Sequence, residues 1–389
     1  MDIQPGRAGQ QTYAQWVRWA IGLARGKQQK AISFFDSSVP EPRELLRQTV
    51  AEAFGTEITP DYLSVFGGGN PIVIDLLAQR YAVDREQVLC TTGATSALSL
   101  LYRSLARPGD HVLVETPGFD LFDDLAVSQG LHVDHFERKG YEFGLDPAAL
   151  ERRIRHNTKL IVLSNLHNPS GMALDHAALK ALAVIAERRN VIVIVDEVYG
   201  DYARATTRPC PAASLSPNFV SISSLTKIFG LSTLRCGWVI GPRPLVARVR
   251  DTATKFEFGM SNLTHAIAAN VLRNFATFAE YSVGIIDAAR PRMDAWFADQ
   301  VQAGLLAGRL PDDGCICFPK LVGVRDTESF SAWLLDRSGV IVAPGEYFGA
   351  PGHIRIGFAQ TEPDLERGLA ALTDGLRHYR ADRPMSAAI

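Results

Sequence analysis

The sequence predicts an α/β protein: a large domain built on a mostly parallel sheet flanked by helices, joined to a smaller α+β domain. Three observations carry this. From about residue 88 to 240, short β-branched runs alternate with segments of helical period. The runs are almost continuously apolar, as strands of a parallel sheet covered on both faces are. After about residue 280 the alternation stops, and a long helix leads into mixed strand and helix segments.

Taken in order, residues 12–25 carry Trp16, Trp19, Ile21 and Leu23 on an amphipathic helical period. Phe34 to Pro42 is extended chain and turn, and helical patterns follow at 43–54 and 73–82. Buried strands are expected at 88–91, 112–115, 160–164, 191–195, 220–223 and 237–240, with helices at 94–106, 120–129 and 176–189 between them. The long helix covers about 280–304. The expected division is an N-terminal arm (1–45) joining the small domain, a large α/β domain (46–280) and a small C-terminal α+β domain (281–389).

The chain has 389 residues, 47% hydrophobic and 21% charged, with a formal net charge of -2. Near-neutrality argues against a general nucleic-acid binder and gives no electrostatic case for a membrane surface. The apolar runs fall far short of the ~20 residues that cross a bilayer. Met1 to Gln11 is polar, unlike a secretory signal. Cys90, Cys210, Cys236, Cys315 and Cys317 are scattered, with neither a C-x-x-C pair nor zinc-site spacing. A cytoplasmic protein without a metal site is expected.

Open α/β sheets bind ligands outside the carboxyl ends of their strands. Polar and reactive residues gather there. Gly93-Ala94-Thr95 opens a helix directly after a strand, which suits either a phosphate or a plain helix cap. The chain has neither G-x-G-x-x-G nor a P-loop pattern. Asp196 ends a run of apolar residues, so its carboxylate needs a partner. A helix cap, an arginine and the protonated nitrogen of a cofactor ring all qualify. Lys227 follows the turn Ser224-Leu225-Thr226, with Arg235 further on; a lysine in a dry crevice can form a Schiff base. Arg355 lies on the alternating stretch His353–Phe358, suited to a bidentate carboxylate or to a surface ion pair. A phosphate cradle, a ring-nitrogen acid, a Schiff-base lysine and a carboxylate clamp together are the parts of a pyridoxal phosphate enzyme.

With these parts in place, the sequence resembles the class I/II aminotransferases of pyridoxal phosphate fold type I, over about residues 35–375. Ser224-Leu225-Thr226-Lys227-Ile228-Phe229-Gly230-Leu231, continuing to Arg235-Cys236-Gly237, resembles the family's Schiff-base segment. Asn165-Leu166-His167-Asn168-Pro169-Ser170-Gly171 resembles its N-P-x-N-P-T-G, and Asp196-Glu197-Val198-Tyr199 its D-E-x-Y. The resemblance implies a seven-stranded-type sheet and a homodimer with shared active sites. Lys227 would hold the cofactor as a Schiff base and shuttle the proton. Asp196 would pair with the pyridine nitrogen, Asn168 and Tyr199 would bind the ring hydroxyl oxygen, and Phe119 would stack on the ring. Ala94, Thr95, Ser224 and Arg235 would bind the phosphate, with Gly93 and Thr226 also at the cofactor. Arg355, Asn168, Ser37 and Ser38 would take the substrate carboxylate.

Three departures stand out. Leu166 replaces a proline. Phe66 falls where the family often has a tyrosine reaching the neighbouring subunit's phosphate. Ser37-Ser38 replaces a glycine stretch; that pair, with Val342-Ala343-Pro344-Gly345 and Arg355-Ile356-Gly357-Phe358, is similar to the capreomycidine synthase branch, which cyclises a hydroxylated arginine. The expected activity is amino transfer between an amino acid and a 2-oxo acid. Elimination, replacement or cyclisation at the side chain is the alternative. Lys255, Glu257 and Ser261 are candidate contacts to the substrate side chain at the neighbouring site.

Overall fold

The computed structural model describes residues 12–26, 31–63, 68–203, 211–257 and 259–379. Helix α1 (Tyr13–Gly26) buries Trp16 and Ala20 against Phe35, Tyr347 and Phe348. Strand β1 (Ile32–Ser33) pairs in parallel with Val340–Ile341, stitching the start of the chain to its last third. Helices α2 (Arg43–Phe54) and α3 (Pro71–Tyr81) follow. Helix α3 starts two residues before its apolar period does. The Asn70 side chain accepts from the amides of Ile72 and Val73, and Pro71 fits the first helical position.

Strands and helices then alternate: β2 (Val88–Thr91), α4 (Ala94–Leu105), β3 (His111–Thr116), α5 (Leu121–Ser128), β4 (His132–Glu137), α6 (Pro147–Glu151), β5 (Thr158–Ser164), α7 (His176–Arg189), β6 (Ile192–Asp196), β7 (Phe219–Ser224), α8 (Leu225–Ile228) and β8 (Gly237–Ile240). These strands form one seven-stranded sheet in the order β2-β8-β7-β6-β5-β3-β4. Only β8 runs against its neighbours, between β2 and β7. The seventh strand, β4, is absent from the sequence reading: at the sheet edge it buries only Phe136, so its His-Val-Asp-His-Phe-Glu run lacks an apolar signature.

Helices α9 (Arg243–Phe256), α10 (Asn262–Arg273) and α11 (Phe275–Gln302) come next, then α12 (Thr327–Ser338) and α13 (Glu362–His378). The sequence reading missed α9, whose buried stripe is only Val246, Val249 and Ala253 among charged residues, and also α10. One face of the sheet packs Ile194 and Val239 against Leu98 and Leu101 of α4 and Val249 of α9. The other packs Ile161 and Val193 against Leu179 and Leu182 of α7. A further core joins Ile32 and Phe34 to residues of α11, α12 and α13. Among the described residues, no helix is long and apolar enough to cross a membrane.

Candidate active site

The carboxyl ends of β2, β3, β5, β6 and β7 share one rim, and each presents a residue to it. After β2, Gly93 takes φ 88 and ψ 168, a conformation essentially restricted to glycine, and α4 begins at Ala94. A methyl group on Gly93 would stand 2.5 Å from Nη2 of Arg235. That guanidinium also donates to the Thr92 carbonyl at 3.2 Å. A cation therefore lies over the open amides of a helix start, an arrangement that attracts anions. Gly237 opens β8 because a side chain there would press on the Gly93 backbone, 2.5 Å away.

Asp196 closes β6, level with Ser164 and Ile222. Its carboxylate accepts from the Val198 amide at 3.0 Å. Burial pushes its pKa up to about 7, against the pull of that amide and of Lys227. Tyr199 is buried, its hydroxyl without a partner among the described residues, and burial lifts its pKa to about 12. After β7, the Ser224 hydroxyl caps α8 by accepting from Thr226 N, which places Lys227 within that helix. The Lys227 ammonium Nζ donates to the Ser37 hydroxyl at 3.0 Å.

Arg355 lies on the short strand Ile354–Gly357 and is 1% exposed. Its Nη1 donates to the Asn168 side-chain oxygen at 2.9 Å. Its Nη2 donates to the Phe35 carbonyl at 2.8 Å and to the Tyr13 hydroxyl. Nε has no partner.

Ser37, Ala94, Thr95, Phe119, Asn168, Asp196, Tyr199, Ser224, Thr226, Lys227, Arg235 and Arg355 all line one cavity of about 400 Å³. Gly93 stands just behind this wall. Ser38 does not join it: its amide and hydroxyl both turn to the Asp36 carboxylate, at 3.2 and 2.9 Å. Lys255, Glu257 and Ser261 do not line this cavity. Glu257 accepts from the Ser96 hydroxyl, and Ser261 caps α10. Phe66 lies outside the described residues.

Sequence reasoning missed Tyr13 and Asp36 on the cavity wall, together with Val17 and Ile21 of α1. It also missed the support behind Asn168. Glu115 accepts from the Ser164 amide at 2.7 Å and from its hydroxyl, and Ser164 Oγ accepts from the Asn168 amide at 2.9 Å. Arg138, fully buried, pairs with Glu115 at 2.6 Å. Burial pushes Glu115 up to about 7, opposed by Arg138. The one sequence signal was a carboxylate closing the apolar run of β3.

The chain is 30% identical to capreomycidine synthase of Streptomyces vinaceus over 301 residues, 76% of each chain. It is 30% identical to an arginine–pyruvate transaminase of Pseudomonas aeruginosa over 285 residues, 71% of each. The structure superposes on a pyridoxal phosphate-dependent aminotransferase from Streptococcus suis with a TM-score of 0.84 at 25% identity, covering 97% of this chain and 99% of that one. The fold is therefore pyridoxal phosphate fold type I. The donor set fits that cofactor: an orphaned Tyr199 hydroxyl, a buried acid awaiting a cation at Asp196, and a bare glycine backbone beneath Arg235. With the family pattern matching residues 64–372, the chain belongs to the aminotransferase class I and II family, whose cofactor is pyridoxal phosphate.

Proposed function

We propose that this protein is an aminotransferase, moving an amino group between an amino acid and a 2-oxo acid. The observation that carries this reading is the stretch Phe35–Ser37. Its Phe35 carbonyl receives the Arg355 guanidinium, and its Ser37 hydroxyl receives the Lys227 ammonium. An amine site and a carboxylate site therefore stand on one short piece of chain, as the two ends of an α-amino acid require.

Bound pyridoxal phosphate supplies a carbonyl that links to amines and a ring that withdraws electrons. Lys227 Nζ would be the covalent anchor. When free, the same nitrogen would take the proton from the substrate α-carbon and later return it. Asp196 would pair with the ring nitrogen, and a cation there would offset the burial cost of its carboxylate. Asn168 and Tyr199 would bind the ring hydroxyl oxygen, and Phe119 would stack on the ring. Ala94, Thr95, Ser224 and Arg235 would hold the phosphate, with Gly93 and Thr226 beside them. Arg355, Asn168 and Ser37 would hold the substrate carboxylate.

The reading includes a cytoplasmic homodimer with shared sites. Exposed Phe256 and Leu263, flanking the Glu257–Ser261 stretch, favour such an interface. It also includes an arm of residues 1–45, a large domain of 46–280 and a small domain of 281–389. The core that joins Ile32 and Phe34 to α11, α12 and α13 supports that grouping.

Cyclisation, elimination or replacement at the side chain is the second reading, favoured by the 30% identity to capreomycidine synthase. The deciding experiment incubates the cofactor-loaded enzyme with the twenty protein amino acids and hydroxylated arginine, without acceptor. Stoichiometric 2-oxo acid, with loss of the cofactor's visible band, is expected. A cyclic amino acid, or catalytic pyruvate and ammonia, overturns amino transfer.

A further inference from the structure

We propose that Tyr13 is a substrate-binding residue, whose hydroxyl completes a carboxylate seat with Arg355 and Asn168 and donates a hydrogen bond to the bound carboxylate. The inference rests on Arg355 as carboxylate ligand in the amino-transfer reading.

A guanidinium offers five N–H donors and is best matched by a carboxylate on two adjacent ones. Among the described residues, buried Arg355 meets no such anion. Its Nη1 is on Asn168, its Nε is unpartnered, and its Nη2 rests on two neutral oxygens, the Phe35 carbonyl and the Tyr13 hydroxyl. The hydroxyl thus stands beside the place where a carboxylate oxygen would meet Nη2. A carboxylate is the stronger acceptor and takes Nη2 from it. The Tyr13 proton then has a better destination than the Phe35 carbonyl, which it reaches only at 3.3 Å.

The position of Tyr13 is built. Its amide donates to the Asp120 carboxylate at 2.7 Å, fixing the start of α1 beside α5. Its ring packs on Trp16 and Phe348, with centroids 5.8 and 5.4 Å away. The Arg355 guanidinium lies 5.2 Å from the ring centroid. Burial raises the Tyr13 pKa above its ordinary value, against the pull of Arg355 and Lys227, so the hydroxyl keeps its proton at neutral pH. Val17 and Ile21, one and two turns further along α1, line the same cavity. Helix α1 therefore brings a hydroxyl to the carboxylate end and apolar side chains to the rest.

The test titrates the cofactor-loaded enzyme with the twenty protein amino acids and their carboxamides, reading saturation from the cofactor's visible spectrum. Tyr13→Phe keeps the ring and removes the hydroxyl. For every amino acid that saturates the wild type, its half-saturating concentration should rise about tenfold, with little change in limiting rate. Carboxamides, lacking the anion, should bind weakly and respond little to the substitution. Val17→Ala, which loosens α1 but keeps the hydroxyl, should weaken acids and carboxamides alike. Amide exchange across α1 reports docking in each variant. Unchanged or tighter binding of acids by Tyr13→Phe overturns the inference, as does equal weakening of acids and carboxamides. If no amino acid alters the wild-type spectrum, the amino-transfer reading fails and the inference with it. Saturation indifferent to Tyr13 sinks the inference alone.

Discussion

Arg355 donates to the side-chain oxygen of Asn168 across 2.9 Å, joining two residues 187 positions apart. One belongs to a C-terminal strand, the other to the loop after β5, and the cavity lies where they meet.

Arg355→Met should therefore weaken amino acid binding by about 10- to 100-fold, the worth of a hydrogen bond to a charged group. Arg355→Lys should recover little, because one ammonium cannot replace a planar fork. Steady-state KM values check this, and an unaltered KM removes Arg355 from the substrate site.

Asp196 gives the cofactor-free protein a pH signature. Its folded pKa, about 7, lies above the ordinary aspartate value of 3.8. Between these values the folded form holds a proton that the unfolded chain has lost, so this group's contribution to stability falls as pH rises from about 4 to 7. Cofactor-free Asp196→Asn should match the wild type near pH 4 and melt higher than it at pH 8. With cofactor bound, the order at pH 8 should reverse, because the wild-type carboxylate then has a cation to face. Melting curves at the two pH values, with and without pyridoxal phosphate, decide it.

Gly93→Ala meets two obstacles, a backbone conformation that costs a side chain about 1–3 kcal/mol and the Arg235 guanidinium in its way. Lower thermal stability and several-fold weaker retention of pyridoxal phosphate in equilibrium dialysis are expected. Retention equal to wild type would show that Arg235 is not part of the phosphate seat.

Glu115→Gln leaves the buried Arg138 without its anion, a loss of about 3–5 kcal/mol in unfolding free energy. Adding Arg138→Met should restore much of it, since both charges are then gone. Denaturant unfolding of the single and double variants measures the coupling. Additive losses would show that the pair does not act as a unit.

What could be read in the sequence follows from how each residue reaches the cavity. Asp196, Lys227 and Arg235 stand at ends of apolar strands or in the turns that follow, and an apolar run halting at a charged residue is a local signal. Tyr13 has no such signal. It lies on an ordinary amphipathic helix and meets Arg355 across 342 positions of chain. Glu115 was passed over because its partners, Ser164 and Arg138, come from other segments. Ser37 and Ser38 look equivalent in sequence, yet only Ser37 faces the cavity, while Ser38 turns to Asp36. Strand β4 was hidden for a different reason: at a sheet edge, burial on one side is slight and the alternation fades.

The placement of β8 between β2 and β7 sets a timetable for the newly made chain. Strand β2 emerges early from the ribosome, but its only neighbour in the sheet is β8, and the Arg235 contact to Thr92 spans 143 residues. Until that later stretch has been translated, the loop at Gly93 faces water and has no arginine above it. The complete cradle at Gly93 therefore needs the chain through residue 235, and that contact, of high sequence separation, is a costly one to close early.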